Sequence, residues 1–122
     1  MAGIDHTIVT VNNFEQAGRF YSWLMPKIGY SGGEHDYGAM KGWMGKDMSF
    51  WIKKADQRFA TDTFHKDRVG LCEIAFKGDS RAQIDTLGGG RKQLTAIVID
   101  RSGEPLHKSR DERRDHCVLA SV

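Results

Sequence analysis

Residues 4–30 read IDHTIVTVNNFEQAGRFYSWLMPKIGY, and this stretch sets the first half of the fold. Its opening, 4–11, is rich in β-branched residues and alternates. Thr7, Val9 and Val11 face one way, and His6, Ile8 and Thr10 the other. Such a period of two predicts a strand. Asn12 followed by Glu15 has the spacing of a capping box, with Asn in place of Ser or Thr, so a helix should start there. Phe14, Ala17, Phe20, Tyr21, Leu24, Met25 and Ile28 recur at steps of three and four and make one core-facing stripe. Pro26 lacks an amide donor and crowds the carbonyl of Ser22, so it should distort the last turn. Gly29 is a natural stop.

Outward from there, SGGEHDYGAMKGWMGKDMSFWIKKA is Gly-rich and aromatic. Gly45, Lys46 and Asp47 predict a turn between strands at about 37–44 and 48–54, with Glu34 and His35 in a loop that could gate a cleft. Residues 55–68 are polar and read as a linker. VGLCEIAF, 69–76, predicts another strand, with Cys72 as a buried thiol beside Ile74 and Phe76. Asp79 or Ser80 can cap a short helix, SRAQIDTL, which Gly88, Gly89 and Gly90 end. LTAIVID, 94–100, is a clear strand pattern; EPLHKS and the final HCVLASV are weaker ones around the charged run RDERRD.

The whole is 122 residues, 39% of them apolar, with 18 Lys and Arg against 16 Asp and Glu. That length supports one domain with one core. The net charge of +2 gives no strong field, so no nucleic-acid partner is expected. No apolar run approaches a membrane span, and MAGIDHTIVTV lacks the pattern of a secretory leader. Two Cys cannot build a disulfide framework, so a cytoplasmic chain with reduced thiols is expected.

The two halves look alike. Sliding the chain by 67 residues places His6 on Glu73, Val9 on Phe76, Asn12 on Asp79 and Gln16 on Gln83. Four residues past Asp47 and past Gly103 stand Trp51 and His107. The match is one of element types more than of residues. It describes a strand–helix–strand–strand–strand unit used twice, neither copy able to bury its sheet alone.

At this point a resemblance becomes specific. Ile4-Asp5-His6, Ala17, Phe20-Tyr21, Leu24 and Gly29-Tyr30, then FWI at 50–52, CEIAF with SRAQID, and VIDRSGEPLH resemble the vicinal oxygen chelate superfamily. That group includes glyoxalases, bleomycin-resistance proteins and extradiol dioxygenases. The likeness covers most of residues 3–108 and is stronger in the first half. Asp100-Arg101-Ser102-Gly103 departs from the family's Asp-Pro-Asp-Gly turn.

The resemblance implies an α+β fold: two paired βαβββ modules, about 1–60 and 68–122, forming a curled mixed sheet around a cleft, usually as a homodimer. It also implies a small-molecule ligand. Carried over position by position, the metal ligands are His6, Glu73 and His107, with Trp51 where a fourth would stand. Two His and one carboxylate suit Fe²⁺, Mn²⁺, Ni²⁺ or Zn²⁺ with open positions for substrate oxygens. Such an ion would support lyase, isomerase or dioxygenase chemistry. The alternative is a metal-free protein that binds antibiotics, as in the bleomycin-resistance branch. Tyr37, Trp43, Phe50 and Trp51 are its candidate ligand-binding residues, because aromatic sheet faces take flat molecules. Strict alternation sends Phe50 and Trp51 to opposite faces, so the two cannot both line one cleft.

Overall fold

A computed structural model describes residues 2–63, 65, 67–71, 74, 76, 78–80, 82–83, 86–87, 97–98 and 118–119. The chain divides into two units, Met1–Thr63 and Phe64–Ser121, and the division falls inside the polar segment read as a linker.

The first unit runs β1 (His6–Val11), α1 (Phe14–Leu24), a 3-10 turn (Met25–Ile28), β2 (Glu34–Asp36), β3 (Met40–Met44) and β4 (Ser49–Lys54). A second 3-10 turn, Gln57–Phe59, follows β4. The sheet order is β1-β4-β3-β2. β1 lies parallel to β4, with His6 opposite Ser49 and Val11 opposite Lys54. β3 is antiparallel to both β4 and β2. Parallel neighbours need a long crossover, and α1, β2 and β3 together supply it.

The alternation in β1 is realised. Val9 and Val11 are buried, whereas His6, Ile8 and Thr10 are exposed. Phe50 and Ile52 of β4 and Trp43 of β3 join the two valines on the buried face. Against that face packs the stripe of α1 through Phe20, Tyr21 and Leu24, with Met25 just beyond. The Tyr21 ring is the hub, with centroids 4.8 Å from Phe50 and 5.8 Å from Trp43. Each of these fully buried side chains contributes roughly 1.5–3 kcal/mol of transfer free energy. Pro26 does convert the end of the helix to a 3-10 turn, and Gly29, at φ 106°, stops it in the left-handed conformation.

Three expectations need correction. The helix cap is Asn13, not Asn12: its Oδ1 accepts from the Gln16 amide at 3.2 Å, and its Nδ2 donates to Gln16 Oε1 at 3.0 Å. The segment read as a loop around Glu34 holds β2, whose register with β3 puts Glu34 opposite Trp43 and His35 opposite Gly42. In the expected strand 69–76, Val69, Gly70, Leu71, Ile74 and Phe76 carry no strand pairing. Gly70 sits at φ 134°, outside the range of a β ladder, and Val69 is fully exposed. Cys72 and Glu73 of that segment lie outside the described residues.

In the second unit Ala82, Gln83, Thr86 and Leu87 are helical, as SRAQIDTL predicts. Ser80 Oγ accepts from the Gln83 amide at 3.1 Å. This pair stands 67 residues beyond Asn13 and Gln16, so the two halves cap their helices with the same geometry at the same offset. Further on, β5 (Ile97–Val98) pairs antiparallel with β6 (Val118–Leu119). The expected strand EPLHKS, with His107, lies outside the described residues.

Candidate functional site

The face of the first sheet turned away from α1 holds the candidate site. Partners in register share a face, so one row crosses all four strands there: Ile8, Trp51, Gly42 and His35. His6 and Ser49 form the next row on one side, and Thr10, Lys53 and Met40 the next on the other.

Trp51 is the centre of this surface. It lies flat on the sheet because Gly42 leaves it room. A Cβ built on Gly42 would stand 2.2 Å from ring atoms of Trp51, far inside contact distance. The indole Nε1 donates to Ser49 Oγ at 2.8 Å, which fixes the ring in its own plane. Tyr37 stacks on it with centroids 5.8 Å apart and planes 9° from parallel. His35 completes the group, 6.2 Å from Trp51 and 6.3 Å from Tyr37. Tyr37 is 69% exposed, so the cluster is open to a ligand.

His6 projects from the same face and is about half exposed. Its Nδ1 meets the Asp5 carboxylate at 2.8 Å. A carboxylate on one ring nitrogen sets the tautomer and directs the lone pair of Nε2 outward, the arrangement that metal-binding imidazoles use.

The expected site residues therefore separate. Tyr37 and Trp51 come together, on the face that carries His6. Trp43 and Phe50 do not join them: they are 1% and 0% exposed and pack under Tyr21 on the opposite face. Their aromatic character supplies core, and alternation along β3 and β4 is the reason. Glu34 also turns to the helix side, where its Oε1 accepts from Trp43 Nε1 at 2.7 Å and from the Ser22 hydroxyl. His35 is the member that sequence reading did not place in the binding group. The signal for it is the one-residue alternation of Glu34-His35-Asp36, legible only once β2 is known to be a strand.

Glu73 and His107 lie outside the described residues. Among the described residues no three His, Cys, Asp or Glu side chains come together to hold an ion. The strands of this face offer the imidazoles of His6 and His35 and no carboxylate, and Trp51 has no donor lone pair for a metal. A divalent ion would depend on Glu73 and His107.

No protein-family model matches the chain. It is 28% identical over 91 residues to YqjT of Bacillus subtilis strain 168, a protein described as uncharacterized, which covers 75% of this chain and 68% of that one. Among solved structures, it superposes on the crystal structure of a "putative glyoxalase" from Bacillus halodurans with a TM-score of 0.71. That alignment spans 98% of this chain and 96% of the other at 21% identity. The chain therefore has a glyoxalase-like α+β fold.

Proposed function

We propose that the chain is a glyoxalase-like protein that binds a small flat molecule on the exposed face of its first sheet, in the manner of the metal-free bleomycin-resistance branch. The observation that carries this reading is the Trp51–Tyr37 stack. An indole pinned by Ser49 and seated over Gly42 is preorganised, so little side-chain freedom remains to be lost on binding. Aromatic stacking adds roughly 0.5–1.5 kcal/mol beyond buried area, and about 1.4 kcal/mol is tenfold in affinity. Calorimetric titration with planar aromatic compounds tests the reading. Trp51→Leu should weaken binding by on the order of 10-fold. A variant that binds as tightly as the parent would overturn it.

A second reading is favoured by the Asp5–His6 pair. In it His6, Glu73 and His107 hold Fe²⁺, Mn²⁺, Ni²⁺ or Zn²⁺, and the chain is a lyase, isomerase or dioxygenase. The ion would polarise vicinal substrate oxygens and stabilise an oxyanion or enolate. His6 would present Nε2, and Asp5 would hold the ring in place through Nδ1. Metal analysis of the purified chain separates the readings. One equivalent of tightly held metal, lost on His6→Ala, supports the enzyme. A metal-free chain with intact aromatic binding supports the binder.

A cytoplasmic homodimer belongs to both readings, and sedimentation should then give about twice the 13.7 kDa chain mass. None of the described helices is long and apolar enough to cross a membrane.

A further inference from the structure

We infer that the ligand of this sheet face carries an acidic group, as an aromatic carboxylate or phenolate does, and that Lys53 selects it. This rests on the planar-ligand reading above and adds a charge to it. The warrant is how the sheet sorts its ionisable residues.

Only two residues in the four strands are acidic, Glu34 and Asp36, and both lie on the helix side. Glu34 is held there by Trp43 and Ser22. Asp36 pairs with Lys41 Nζ at 3.7 Å, and that ammonium lies over Gly18 of α1. The opposite face receives His6, His35 and Lys53. Asp5 and Asp56, the carboxylates just outside β1 and β4, have partners. Asp5 is on the His6 ring. Asp56 accepts from the Arg58 amide at 2.9 Å and from its Nε at 3.0 Å. The Arg58 bonds hold the Asp56 carboxyl below the usual carboxylate range, and Lys53 adds a smaller pull. Among the residues of the four strands, the fixed charge on this face is thus the Lys53 ammonium.

Its position suits the task. Lys53 stands two residues along β4 from Trp51 on the same face, about 7 Å away at the usual rise of a strand. A ring lying against Trp51 would present a substituent to a long, flexible ammonium at that distance. An exposed ion pair of this kind is worth roughly a 1.5- to 5-fold preference, and salt should shrink it.

The test is calorimetric titration at neutral pH and low salt with naphthoate and with its neutral counterpart, naphthamide. Naphthoate should bind several-fold tighter, and added salt should narrow the gap. Lys53→Met should erase the gap while leaving naphthamide affinity unchanged; circular dichroism confirms that this exposed variant is folded. Equal affinity for the two probes, both weakened by Trp51→Leu, overturns the charge selection and leaves the planar-ligand site standing. Binding indifferent to Trp51→Leu, or absent for both probes, overturns the two together.

Discussion

Gly42 shows how much one missing methyl group can decide. Its neighbour in the row, Trp51, needs the bare backbone beneath its indole. Gly42→Ala would force Trp51 off the sheet or out of its Ser49 hydrogen bond. Overpacking of this sort costs about 1–3 kcal/mol. Urea unfolding should register that loss, and ligand affinity should fall with it. Glu34 is the matching determinant on the other face. Glu34→Ala leaves the Trp43 indole N–H, in a 1%-exposed residue, without its acceptor. An orphaned buried donor costs about 1–3 kcal/mol, again readable from denaturant midpoints. Because Glu34 faces the helix, its removal should leave binding of a planar probe unaltered.

The helix cap explains how an element can be foreseen while its first residue is not. Asn12 and Asn13 are equally good caps by type. Asn12 is drawn away by a contact 50 residues distant, its Nδ2 donating to the Asp62 carbonyl at 2.6 Å. Asn13 then closes on Gln16. Nothing local distinguishes the two. Asn13→Ala should cost about 1 kcal/mol, and Asn12→Ala should leave the helix end intact while loosening residues near Asp62. Amide hydrogen exchange at Gln16 and around Asp62 would tell the two effects apart. β2 is a parallel case. Glu34-His35-Asp36 is short and polar on both faces, flanked by Gly33 and Gly38 at positive φ. It has little strand propensity. Hydrogen bonding to β3 makes it a strand.

The sheet and helix are joined through a Tyr, and that carries a pH dependence. Burial raises the Tyr21 phenol well above its ordinary value. The folded state therefore keeps the neutral form after the unfolded chain has begun to ionise near pH ~10. The sign follows: the contribution is fully present below about pH 10 and is lost as pH rises beyond it, by at most about 1.4 kcal/mol per unit. Unfolding free energies measured from roughly pH 9 to pH 11 should fall more steeply for the parent than for Tyr21→Phe. Identical slopes would contradict the burial argument.

Local order was legible in the chain because it is local physics. β-branched alternation made β1, the three-and-four stripe with Pro26 and Gly29 made α1 and its distorted end, and Gly45-Lys46-Asp47 made the turn into β4. The caps observed, Asn13 and Ser80, also stand 67 residues apart, one position on from the Asn12 and Asp79 that the offset had aligned. Alternation also said that Phe50 and Trp51 must part. It could not say which of them met solvent, because a strand pattern is symmetric until a helix covers one side. Packing of Tyr21 made that choice: it buried Trp43 and Phe50, and it left Trp51 half-buried on the other face beside the exposed Tyr37 and His35, residues brought alongside by pairings that span the sheet. Burial of one face is a property of the assembled layers, and no window of sequence contains it.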